Sequence, residues 1–227
     1  MPPTPEPPGE TVRVLLVEDH ELLAGTLALA LRQQGLEVHA AAGPSPEAVV
    51  DLTRRLSPVL VLLDLDLGPL GSGLDLIRPL IGAGGRVVMV TGVTDRARLG
   101  ACIEAGATGV VGKAAGFETL VGTVGRAAQG LPLLDENERQ SLLAEARHRR
   151  EEDGRQLAPF TSLSPREQAV LARLVAGEPA ETIADRSYVS LATVRSHIRA
   201  ILLKLGVNTQ LAAVAMAREA GWPQAPQ

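Results

Sequence analysis

Val14-Leu15-Leu16-Val17-Glu18-Asp19-His20 is an apolar run that stops at two adjacent carboxylates. It is too short for a helix and has no 3.6-residue period, so it reads as a strand buried on both faces. Similar runs occur at residues 36–41, 59–63, 86–90 and 108–111; with 12–17 they make five. Between them, Glu21–Gln33, Pro46–Leu56, 74–81, Arg96–Ala105 and Phe117–Ala128 carry helical periodicity. Strands alternating with helices at this spacing indicate βαβ units and a parallel sheet. The expected fold over residues 12–130 is α/β, a five-stranded doubly wound parallel sheet of flavodoxin-like type.

Length and composition fit a second, smaller domain. The chain has 227 residues, 45% of them apolar and 21% charged, enough for real cores and too apolar for wholesale disorder. Only Phe117, Phe160, Tyr188 and Trp222 are aromatic, which excludes a nucleic-acid surface built on stacked rings. The lone Cys102 excludes an internal disulfide and a cysteine-clustered zinc site, and suits a reducing compartment. No apolar run reaches the roughly 18 residues of a membrane span. Residues 1–11 hold five prolines and no apolar core, so we expect a disordered lead, not a signal peptide, and a cytoplasmic protein.

Past residue 130 the pattern changes. Asp135 with Glu138 three residues on signals a helix start, and a charge run follows from Arg147 to Asp153. This predicts a linker over 131–160: a helix, a break at Gly154 and a flexible stretch. From Leu163 onward the chain reads as a small all-α domain of four helices, over 161–222. Ser164-Pro165-Arg166-Glu167 is a strong start signal, Ser190 caps the third helix, Gly206 closes it, and Asn208 is the expected cap of the fourth. Four helices in about 60 residues fit a helix-turn-helix module. Charge divides accordingly: residues 1–130 have ten basic and fourteen acidic side chains, residues 161–227 seven and five. The basic end permits DNA binding.

The strand ends carry the chemistry. The first strand ends in Glu18-Asp19, the third in Asp64, the fourth in Thr91 and the fifth in Lys113. In a doubly wound sheet the ligand crevice lies at the carboxyl ends, at the switch between the first and third strands. Three carboxylates would meet there, an unfavourable crowding that a hard divalent cation such as Mg²⁺ relieves. A phosphoryl group on Asp64 would then be held by the ion, the Thr91 hydroxyl and the compact Lys113 ammonium. Of 22 basic residues only Lys113 and Lys204 are lysine, which marks Lys113 further.

These residues resemble the receiver domain of bacterial two-component response regulators. The matching motifs are Val14 to His20, Leu62-Leu63-Asp64-Leu65-Asp66, Val88 to Gly92 and Gly109 to Lys113. The resemblance implies Asp64 as phosphoacceptor, Glu18 and Asp19 as metal ligands with Asp64, and the main-chain carbonyl of Asp66 as a further ligand. The sequence departs from the family pattern in three places. The loop before Gly73 is one residue longer, Val110 stands where a switch aromatic is common, and Ala114 follows Lys113 where Pro is common. Haloacid-dehalogenase-type phosphatases share Asp64-Leu65-Asp66 with a later Thr and Lys. Their nucleophile strand comes first and their acidic pair last, the reverse of the order here.

In the C-terminal domain Val194, Ile198, Ile201, Leu202 and Leu205 form one apolar helix face. Arg195, Ser196 and Arg199 point elsewhere and can read base edges in a major groove. Thr193, His197 and Lys204 are expected phosphate contacts. Leu163 to Glu167, Ile183-Ala184, Val189 to Ile198 and Lys204 to Val207 resemble the LuxR-type helix-turn-helix, and the whole chain is similar to the NarL/FixJ group. That resemblance implies a non-enzymatic transcriptional regulator. A sensor histidine kinase would supply the phosphoryl group, double-stranded DNA would be the target, and a homodimer would pair through the C-terminal helix, with Ala212, Ala213, Ala215 and Ala217 as a small contact face. The alternative expectation keeps the fold and drops the chemistry: a phosphorylation-independent DNA-binding regulator whose receiver only dimerises.

Overall fold

The computed structural model describes residues 12–41, 45–57 and 60–223; the expected disordered lead lies outside the described residues. The chain divides into two compact units, Met1–His148 and Arg149–Gln227.

The first unit is built on β1 (Arg13–Val17), β2 (Glu37–Ala41), β3 (Leu60–Leu63), β4 (Arg86–Thr91) and β5 (Gly109–Gly112), all parallel, in the order β2-β1-β3-β4-β5. The intervening helices are α1 (Glu21–Gln33), α2 (Pro46–Leu56), α3 (Gly73–Gly82), α4 (Arg96–Ala105) and α5 (Phe117–Ala128). The order reverses between β1 and β3, which creates the crevice the sequence predicts. Alternate strand residues feed two cores. Leu15, Val17, Val61, Leu63, Val87 and Met89 face α2, α3 and α4, while Val14, Leu16, Leu60, Leu62, Val88 and Val90 face α1 and α5. This two-faced burial is why the strands read as continuous apolar runs. Cys102 lies in the first core, where burial pushes its thiol up to about 11 and leaves it unreactive.

α6 runs unbroken over Glu136–Leu157, through Gly154, which corrects the expected break. One exposed glycine costs a helix only about 1 kcal/mol. Ion pairs of Arg149 with Asp153 and of Glu151 with Arg155, each one turn apart, support the backbone around it. The Asp135 carboxylate caps α6 through Glu138 N–H (2.8 Å), but the reciprocal half of the box is absent because Glu138 pairs with Arg96 (3.0 Å). Within the first unit α6 buries Leu142 and Ala146 next to Gly100 of α4.

The second unit holds α7 (Pro165–Val175), α8 (Ala180–Ser187), α9 (Leu191–Leu205) and α10 (Gln210–Glu219). Ser164 and Glu167 form the predicted reciprocal cap, and Ser190 caps α9 through Thr193 N–H. The cap of α10 is Thr209, not Asn208: its hydroxyl accepts from Ala212 N–H at 3.1 Å. The core gathers Phe160, Leu171, Leu174, Ile183, Val194, Ile201 and Leu205, with Phe160 stacked on Trp222.

Candidate functional site

Parallel pairing of β1 with β3 sets Val17 beside Leu63, so Glu18 and Asp64, the next residues, leave the sheet together. Asp64 N–H donates to the Val17 carbonyl at 3.0 Å, which extends the ladder one step and fixes the Asp64 backbone. Asp64 is 3% exposed. Its Oδ1 accepts from Leu65 N–H (2.7 Å) and its Oδ2 from Lys113 Nζ (2.7 Å). Lys113 follows β5 directly and also lies 2.7 Å from Glu18 Oε2, so one ammonium bridges two carboxylates. Thr91 ends β4 in register with Gly112; it is buried, and its hydroxyl accepts from Val93 N–H. A Cβ on Gly92 would meet nothing within 4 Å, so the approach beside Thr91 is open.

The loop after Asp64 is fixed by close backbone approach. A Cβ on Gly73 would sit 1.9 Å from the Asp64 carbonyl oxygen, so only glycine fits there. Gly73 N–H donates to Leu65 O and Leu67 N–H to Gly71 O, on either side of Asp66, and neither bond uses the Asp66 carbonyl. The longer loop tucks Leu67 into the core and sets Gly68 against the Asp19 carboxylate.

The electrostatics follow from crowding. Burial raises the Asp64 carboxyl; the hydrogen bond from Lys113 opposes this, and the Glu18 charge adds to it. Burial alone would lower the Lys113 ammonium, but its hydrogen bonds to Asp64 and Glu18 outweigh it and hold it above the usual lysine value. Glu18, Asp19, His20 and Asp64 each offer one ligand atom, all within 4.8 Å of one another. Three carboxylates against one ammonium form a donor set that fits a hard divalent cation.

Two residues of this region escaped the sequence reading. His20 Nδ1 lies 2.9 Å from Glu18 Oε1 and 2.8 Å from Asp19 Oδ1, and the hydrogen bond to Glu18, followed by the Asp19 charge, raises its pKa. Its position directly after the acidic pair was the available signal. Arg98 on α4 binds Asp66 Oδ1 at 2.8 Å and draws that side chain away from the carboxylate group. Nothing in the sequence pairs residues 32 apart, so that contact had no signal.

In the second unit Arg195, Ser196 and Arg199 stand on the exposed side of α9, with Val194 and Ile201 buried opposite. Arg195 lies 3.6 Å from Glu181. The Thr193 hydroxyl shares a 2.8 Å hydrogen bond with Ser190, and His197 is half-buried toward α7. Lys204, expected at a phosphate, binds buried Glu167 Oε2 at 2.6 Å through its Nζ, so its charge also serves the α7 cap. The small face on α10 also divides, because Ala213 and Ala217 are buried in the domain core.

Comparison with known proteins matches both units. The model of the "response regulator receiver domain" covers residues 14–125, and that of "bacterial regulatory proteins, luxR family" covers 161–217. The nitrate/nitrite response regulator protein NarP of Escherichia coli is 33% identical, over 91% of this chain and 94% of its own. The DNA-binding transcriptional activator DevR/DosR of Mycobacterium tuberculosis is 32% identical, over 92% and 94%. The fold is similar to that of the response regulator RcsB in complex with DNA, at 20% identity and TM-score 0.50, over 92% and 98% of the chains.

Proposed function

Because this chain belongs to the two-component response regulators that join a receiver domain to a LuxR-type DNA-binding domain, we propose that Asp64 is the residue whose phosphorylation controls its binding to DNA. It is a DNA-binding transcriptional regulator; the residue assignments are our own reading. The observation that carries them is Lys113 bridging Asp64 and Glu18 at 2.7 Å each.

An Asp64 carboxylate oxygen attacks the phosphorus of a small or protein-borne phosphodonor. The new O–P bond forms as the donor's bond to phosphorus breaks, and the donor leaves with that electron pair. Lys113 steadies Asp64 before transfer and balances phosphoryl charge after it. Thr91, one step from its bond to Val93, supplies a hydroxyl to a phosphoryl oxygen. Glu18, Asp19, Asp64 and the Asp66 carbonyl would hold Mg²⁺, which would supply charge neutralisation to the reacting phosphoryl group. The phosphodonor in the cell is a sensor histidine kinase.

At the output end α9 enters a major groove with Arg195, Ser196 and Arg199 toward the bases and Thr193 and His197 toward phosphates. A homodimer would set two such helices on successive half-sites, with exposed Leu211 of α10 available for pairing. As a regulator that must reach DNA, the protein is assigned to the cytoplasm; separately, no single helix among the described residues is long and apolar enough to cross a membrane.

The test is mass spectrometry after incubation with Mg²⁺ and acetyl phosphate. One added phosphoryl group on the wild type and none on Asp64→Asn is expected; an undiminished adduct in Asp64→Asn overturns the assignment.

A further inference from the structure

The second unit carries cations that recognition of base edges does not use. α7 and α9 pack along each other, and their seam opens into a groove of about 350 Å³. Arg166 and Arg173 line it from α7, His197 and Thr193 from α9, and Ser187 from the end of α8; no Asp or Glu lines it. Its floor is apolar, with Ile183 and Val194 fully buried.

Part of the polar lining of this seam is unspent. Among the described residues the side chains of Arg166, which is exposed, and His197 form no hydrogen bond or ion pair. Arg173 is only partly engaged: its buried Nη1 has no hydrogen-bond partner and makes a long ion pair with Glu178 Oε2 at 3.9 Å, while the other Glu178 oxygen holds Arg186 at 2.9 Å. Lys204, on the same flank of α9, is by contrast neutralised by Glu167. Arg166 and Arg173 are seven residues apart, about 10.5 Å along the helix axis. That spacing suits a polyanion running along the seam better than one small anion.

We propose that the α7–α9 seam seats the sugar-phosphate strand bordering the groove that α9 enters, with Arg166 and Arg173 as phosphate contacts from α7 beside Thr193 and His197. This rests on the reading that α9 lies in the major groove. The contacts carry no base information, so they add affinity and register to every sequence alike.

The experiment measures affinity of the full chain for an operator duplex selected from a random pool and for a random duplex of equal length, across a salt series. Removing one phosphate contact lowers the slope of log K against log salt by about 0.9 and weakens binding about fivefold near 0.15 M salt. Arg166→Gln should do this on both duplexes and leave their ratio unchanged. Ala169 is exposed on the seam between the two arginines, so Ala169→Lys should steepen the slope and Ala169→Glu should weaken both duplexes. Both sites are exposed, and a thermal melt verifies that each variant is folded. Wild-type slopes in Arg166→Gln and Ala169→Lys would overturn the seam while leaving the groove reading intact. A wild-type protein with no salt-dependent DNA binding would overturn both.

Discussion

Gly100→Ala inverts the usual effect of adding a methyl group to a helix. In an isolated helix Gly→Ala is stabilising by up to about 1 kcal/mol. Here the new Cβ would lie 1.9 Å from the Leu142 carbonyl oxygen, 2.7 Å from its carbon and 3.0 Å from Ala146 Cβ. The obstacle is backbone, so α6 must move off α4 by roughly 1.5 Å, a gap over which most of the contact energy is lost. Leu142 and Ala146 are 2% and 3% exposed. Burying such a leucine is worth about 1.5–3 kcal/mol and the alanine methyl about 0.8. The exposed Arg96–Glu138 pair adds little. After the helix-propensity gain is subtracted, the local loss is about 1–3 kcal/mol. Hydrogen exchange of the α6 amides near residues 138–146 should therefore quicken roughly 5- to 150-fold, while the sheet amides change less. Unchanged or slower exchange there, with a raised melting temperature, would refute the close packing of α4 on α6.

Lys113→Arg keeps the charge but replaces a compact ammonium that fits between two carboxylates with a planar fork, so phosphorylation by acetyl phosphate should slow about tenfold or more, the equivalent of ~1.4 kcal/mol. A wild-type rate would make the retained lysine incidental. Hydrogen bonds from Lys204 and then from the Ser164 backbone hold Glu167 below the usual carboxylate range. A depressed acid stabilises the fold above its ordinary pKa of about 4.3, and that contribution is lost as pH falls through the folded value. Lys204→Met should thus lower the melting temperature of the second unit at pH 7 and make little difference at pH 2; an equal drop at both would contradict the pairing. Arg195→Ala and Arg199→Ala should each cost about 1–3 kcal/mol on the selected operator and much less on random DNA, whereas equal losses on both would make them phosphate contacts.

Much of the fold was legible because strand and helix periods differ and the first unit alternates between them. α1, α2, α4, α5 and α9 begin and end at the residues their apolar spacing predicts. The acidic group was legible because βαβ winding brings strand ends together, whatever lies between them in sequence. The docking of α6 was not. Gly100 reads only as a weak helix residue, and its reason is the backbone of residue 142. The pairing of Lys204 was not legible because its partner lies 37 residues earlier, where Glu167 is already accounted for as a cap. Gly154 looked like a stop because propensity registers its cost and not the ion pairs around it. Val110, where the resemblance implies an aromatic, is a half-buried side chain packed against the core that also takes in Leu142.

The most direct test of phosphorylation control at Asp64 is operator affinity measured with and without Mg²⁺ and acetyl phosphate, for the wild type and Asp64→Asn side by side. The phosphodonor should change wild-type affinity and leave Asp64→Asn, still bound to DNA, unmoved. An equal response in both proteins, or none in a wild type shown to be phosphorylated, would contradict it.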